Sequence, residues 1–333
     1  MGCGASSQHP AILLRVVTGV LKDSATGGKG YCGAAALARG DGDRLYLAGS
    51  KGMTVVDISK PEAPSVGQQI DTQTIANDGD AAFVKIDGTL LLAGGKGLRV
   101  LDVSNADQPV QGELINTGVL AHGGGAALAL SESTLYVAGT SGLAVYNVED
   151  PKNPTKIGDA IDTGVLSNTS GVALQVVGSW LYAGGGKGLA AFDVSSAQEP
   201  KKVSSISTGV FSCTSGVATA AHGKLLYVAG GKGLGVVDIS NPGAPTMVGE
   251  TIKSGALSWT GGAALAIVDD KLLVAGGNGL STFSIASPTA PALKGKISTG
   301  ALSNTGPADL LVLGSKTYLA GGKGLVVLDN TKL

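Results

Sequence analysis

A ten-residue pattern recurs seven times along this chain: AGSKGMTVVD from Ala48, AGGKGLRVLD from Ala93, AGTSGLAVYN from Ala138, GGGKGLAAFD from Gly184, AGGKGLGVVD from Ala229, AGGNGLSTFS from Ala275 and AGGKGLVVLD from Ala320. The second turn glycines (Gly52, Gly97, Gly142, Gly188, Gly233, Gly279 and Gly324) are separated by 45, 45, 46, 45, 46 and 45 residues. That period fits a four-stranded propeller blade and is too long for a leucine-rich repeat. In the fourth copy the spacing predicts strand A over Gly171–Val177, B over Trp180–Gly185, C over Leu189–Val194 and D over Lys201–Ser207. A G-K-G turn joins B to C, because glycine reaches positive φ without a Cβ clash. No window carries a helical apolar period, and 54 glycines argue against helix throughout.

The two ends complete each other. The seventh copy stops at Asp329-Asn-Thr-Lys-Leu333, where its strand D is due, and Pro10–Gly19 aligns without a gap on Pro291–Gly300, strand D of copy six. The first strand therefore completes the last blade and removes two free sheet edges. The expected fold is all-β: a seven-bladed β-propeller with four-stranded blades over residues 10–333, preceded by a short tail at 1–9.

The segment Tyr227-Val-Ala-Gly-Gly-Lys-Gly-Leu-Gly-Val-Val-Asp-Ile-Ser-Asn-Pro-Gly-Ala-Pro245, followed by Val248-Gly249, resembles the LVIVD repeat, and related matches recur from residue 10 to residue 329. The resemblance implies a β-propeller of surface or scaffold type, in a family without a shared catalytic motif.

Lys and Arg number 24 against 25 Asp and Glu, so no overall field attracts nucleic acid, and none is expected as a partner. Cys3, Cys32 and Cys213 are too few and too scattered for a disulfide framework or a four-ligand zinc site. Every apolar run falls short of the roughly 18 residues that span a bilayer. Met1-Gly-Cys-Gly-Ala-Ser6 matches the M-G-x-x-x-[ST] acylation pattern: Gly2 accepts myristate, and Cys3 beside it is placed for palmitate. Two chains give stable anchoring where one gives only reversible binding. The expected location is the cytoplasmic face of a membrane, with the cytosol as the alternative.

In a propeller the B–C turns and the D–A connections share the top face. The B–C turns carry Lys51, Lys96, Lys187, Lys232 and Lys323, with Ser141 and Asn278 at the two remaining places. These ammonium groups can hold an acidic partner or simply solvate the rim. The D–A connections bring Asn77-Asp78, His122, Ser167-Asn168-Thr169, Ser212-Cys213-Thr214, Ser258-Trp259-Thr260 and Ser303-Asn304-Thr305 toward the mouth of the axial channel. Of these, Trp259 and His122 are the least readily explained as turn chemistry. The first connection is nine residues longer than the rest, around Lys22–Cys32, with Lys29 beside the rim. Its Thr26–Tyr31 run lacks the G-x-x-x-x-G-K-[ST] phosphate loop, so no nucleotide or other cofactor is expected.

Asp57, Asp102, Asp193, Asp238 and Asp329, with Asn147 and Ser284 in the other copies, are expected to cap the turn after strand C. His9, His122 and His222 fall in three different places, and no metal cluster, Ser-His-Asp set or paired carboxylates can be recognised. The leading expectation is a non-enzymatic, membrane-tethered scaffold that binds a protein partner on its top face. The alternatives are a surface carbohydrate-binding or adhesion protein, and an enzyme with its site at the channel mouth.

Overall fold

The computed structural model describes residues 11–16, 35–75, 80–167, 170–211, 215–302 and 306–333. Seven four-stranded antiparallel sheets form the seven blades of a propeller. The inner strands A are Ala35–Arg39, Ala81–Ile86, Ala126–Ser131, Ala173–Val177, Ala218–His222, Ala263–Val268 and Ala308–Leu313, in blades 1 to 7. Strand A of blade 4 starts two residues later than its spacing suggests. The reason is that the Gly171 amide donates to the Ser215 carbonyl of blade 5 instead of joining its own ladder. Similar bonds run from Asp80 to Gly124, Gly216 to Gly261 and Gly262 to Gly306, forming a collar between blades at the channel mouth.

The core is divided into seven wedges, each between two neighbouring blades. Alternation along each strand builds them: in blade 1, Leu45 and Leu47 pack toward blade 7, while Tyr46 and Ala48 pack toward blade 2. Strands B and C are therefore buried on both faces, whereas an outer strand such as Lys201–Ile206 is largely exposed.

Both glycines of the repeat are required by close backbone approach. A Cβ on Gly188, at φ +148°, would lie 2.3 Å from the Ile206 carbonyl oxygen, and one on Gly139 would lie 2.3 Å from that of Val119. The second turn glycine, as at Gly188, lets strand D end against the turn; the first, as at Gly139, lets the D–A connection lie across it.

The ring closes as the gapless alignment predicts. Ile12–Val16 is the outer strand of blade 7, pairing Ile12 with Leu328, Leu14 with Val327, Arg15 with Val326 and Val16 with Leu325. In blade 6 the equivalent pairs are Leu293 with Phe283, Gly295 with Thr282, Lys296 with Ser281 and Ile297 with Leu280, and the bulge falls at the same place. The Asp329 amide donates to Ala11, which fixes the entry of the chain on the bottom face, beside the C–D turns.

Candidate functional site

Backbone hydrogen bonds hold the B–C turns and D–A connections together on one face. The amides of Lys96, Ser141, Lys187, Lys232, Asn278 and Lys323 donate to Thr74, Val119, Val165, Val210, Ala256 and Ala301, each on the connection entering that blade. The connections are pinned from beneath by buried hydroxyls: Thr117 Oγ1 accepts from Val119 and Leu120, and Ser254 Oγ from Ala256 and Leu257. Arg99, itself buried, donates Nε to the Thr72 carbonyl and Nη1 to that of Gly112, tying strand C of blade 2 to the same layer. These bonds tie the described backbone of the top face into one layer that supports its side chains.

Lys51, Lys96, Lys187, Lys232 and Lys323 are all exposed on this rim, and His122 is exposed on the connection from blade 2 to blade 3. Trp259 is 61% exposed on the connection from blade 5 to blade 6, and the Lys232 ammonium lies 5.9 Å from its ring centroid. That is within range of a cation–π contact. Shallow hollows open between blades: one of about 350 Å³ is walled by Thr140, Asp162, Thr163 and Lys187, and one of about 280 Å³ by Lys51, Asp71, Gln73 and Lys96. Gly2, Cys3, Lys29, the long loop at Lys22–Cys32, Asn77-Asp78, Asn168-Thr169, Ser212-Cys213-Thr214 and Ser303-Asn304-Thr305 lie outside the described residues, as does His9.

The opposite face carries the aspartates, and their role is architectural. Asp57, Asp102, Asp193 and Asp238 accept the amide of the residue two positions on, a serine in each case, Asn147 accepts that of Glu149, Ser284 that of Ala286 and Asp329 that of Thr331. The Ser59 hydroxyl, then its amide, holds the Asp57 carboxyl below the ordinary carboxylate range, the Ser240 amide does the same for Asp238, and for Asp102 the Lys152 ammonium is the largest cause. His222 ends strand A of blade 5 and stacks on Tyr227 at 6.4 Å. Among the described residues no group of three or more His, Cys, Asp or Glu could hold a metal ion.

The channel wall holds a residue that the repeat pattern left unremarked. A cavity of about 310 Å³ on the axis is lined by all seven inner strands. At one level six blades place alanine there: Ala36, Ala82, Ala127, Ala173, Ala218 and Ala264; the seventh places Asp309. Its carboxylate accepts the Leu37 amide of blade 1 at 2.7 Å and the Leu310 amide at 2.8 Å. Burial pushes its pKa up to about 7, against the pull of those two bonds. The available signal was the column itself, one aspartate replacing alanine in an otherwise uniform inner-strand position.

Fold and site together define a seven-bladed β-propeller with a loop-built face and a narrow axial channel. The LVIVD repeat family model matches residues 41–72 and 217–251, one stretch in blade 1 and one in blade 5, and the seven-bladed fold is consistent with an LVIVD β-propeller. No curated protein matches it in sequence. Among solved structures it is similar to virginiamycin B lyase from Staphylococcus aureus (10% identity, 88% of this chain and 93% of that one, TM-score 0.61). It is also similar to the periplasmic gluconolactonase PpgL of Pseudomonas aeruginosa (13%, 82% and 86%, TM-score 0.63) and to BamB from Moraxella catarrhalis (14%, 88% and 81%, TM-score 0.51). At these identities the likeness is one of fold alone.

Proposed function

We propose that this propeller is a non-enzymatic interaction scaffold, held to a membrane by lipid on Gly2 and Cys3, that takes a protein partner on its top face. The observation that carries the reading is the exposed Trp259 with Lys232 beside it, on a face whose described backbone is tied together by hydrogen bonds. A tryptophan at a rigid surface is the typical anchor of an interface, and surrounding lysines steer an acidic partner without contributing much to stability. The chain enters the ring at Ala11 on the bottom face, so lipid on Gly2 and Cys3, nine and eight residues earlier, holds that face toward the bilayer. The top face then points away from it, open to a partner.

Replacing Lys96, Lys187 and Lys232 together by Glu is expected to abolish partner capture from native extracts at low salt, with the melting temperature unchanged. Trp259→Ala is expected to weaken the same partner by about 2 kcal/mol, roughly thirtyfold. Capture that is indifferent to salt and to both changes would reduce the rim to a solubilising edge. For the tether, Gly2→Ala removes the myristate acceptor and is expected to move the protein to the cytosol. Cys3→Ser is expected to leave weak, reversible binding through the single remaining chain. Fractionation with metabolic myristate labelling checks both. An unlabelled protein, or a Gly2→Ala protein still fully on the membrane, would rule the tether out.

A further inference from the structure

The channel wall follows from strand register. In an antiparallel pair, alternate residues turn both N–H and C=O away from the partner strand. Strand A has no neighbour on its inner side, so those groups face the axis. Leu37 and Leu310 are two such residues, since their amides reach the Asp309 carboxylate rather than strand B. Leu37 pairs with Leu47, and Leu310 with Leu319, each two residues before the first turn glycine. Phe83, Leu128, Leu174, Thr219 and Leu265 occupy the same register opposite Leu92, Val137, Ala183, Val228 and Val274. Their amides therefore face the axis at the same level. The result is a tier of seven N–H donors around the cavity of about 310 Å³, with the carbonyls of the same residues forming an acceptor tier one step below.

Asp309 shows what such a tier accepts: the chain's own carboxylate sits on two of the seven donors. Convergent backbone amides make an anion-binding concavity even where no basic side chain is present. We propose that the five amides left uncapped, in blades 2 to 6, bind a small carboxylate of about acetate size against the carboxyl group of Asp309. The inference is independent of the top-face reading.

The chemistry requires a proton. Among the residues lining the cavity, the ionisable side chains are Asp309 and Asp80, with no Lys, Arg or His. Asp80 lies just before strand A of blade 2, at the mouth and above the donor tier. A second carboxylate entering beside an ionised Asp309 meets like charge in a poorly solvated space. Beside a protonated Asp309 it gains an O–H donor in addition to the amides. Since Asp309 takes up its proton below about 7, binding is coupled to uptake of one proton and strengthens as pH falls through that value.

The test is titration of the full-length protein with ¹³C-acetate at pH about 5.5 and about 8.5, on either side of that transition, against chloride at equal ionic strength. Backbone ¹⁵N shifts are read in parallel. Saturable binding is expected at the lower pH, with shifts centred on Phe83, Leu128, Leu174, Thr219 and Leu265, and affinity falling about tenfold per pH unit above the transition. Asp309→Asn is expected to bind acetate with no such step. Asp309→Ala, which restores the residue of the other six blades, serves if the amide variant fails to fold and is also expected to bind without a pH step. No saturable acetate binding by folded wild type at the lower pH overturns the proposal. So does a pH step that persists without the Asp309 carboxyl, or saturation by ammonium in place of acetate.

Discussion

Removing residues 1–19 is expected to lower the melting temperature by about 10 °C or more, or to leave the chain aggregated, whereas removing residues 1–8 leaves melting unchanged. The longer deletion takes away the outer strand of blade 7 and Ala11, which is buried in the wedge between blades 6 and 7. It uncovers the edge of Gly324–Asp329, whose Leu325, Val326, Val327 and Leu328 are each 0% exposed. Each broken ladder bond costs about 1 kcal/mol net, and unpaired edges recruit other chains. The pairing also ties the start of the chain to its last blade, leaving the blade 1–blade 7 wedge and the Leu37–Asp309 bond as the remaining described links between the ends of the ring, so its loss favours fraying from the terminal blades. Calorimetry and light scattering on the two deletion proteins decide it. A soluble 20–333 chain with unchanged melting would show that the pairing does not close the ring energetically.

The second large effect belongs to Asp309. Its pKa is raised from 3.8 to about 7 by burial, so the native state holds this proton more tightly than the unfolded chain does. Below about 3.8 both states are protonated and the residue costs nothing; as pH rises toward 7 the unfolded chain ionises first, and the native state loses stability; above 7 the loss is complete. Asp309→Ala should therefore match or fall slightly below wild type at low pH, having lost two hydrogen bonds, and exceed it above neutrality. The shift sets a ceiling of about 4 kcal/mol. The channel is open to solvent at its mouth, and the expected gain is about 1–2 kcal/mol after screening. Urea melts of both proteins at several pH values give the comparison directly. A difference that does not change with pH would mean that Asp309 titrates normally in the folded ring.

The fold was legible in the sequence because propeller architecture repeats its local physics seven times. A glycine pair spaced for a B–C turn, a D-x-S turn after strand C and an apolar alternation between them need no knowledge of distant residues. The closing strand was legible for the same reason: Pro10–Gly19 carries the pattern of Pro291–Gly300 down to the position of its bulge. Capping by the aspartates followed from their spacing alone. The late start of strand A in blade 4 was not legible, since it depends on Gly171 finding the Ser215 carbonyl across a blade boundary. Nor was the proximity of Lys232, on the B–C turn of blade 5, to Trp259, on the connection from blade 5 to blade 6, which depends on how that connection lies over the turn. Asp309 stood in plain view as a departure from alanine, but its chemistry arises from Leu37, 272 residues away in sequence. Local patterning determines which strands form and how they pair. The environment of a single carboxyl is set by the curvature that brings the first blade against the last.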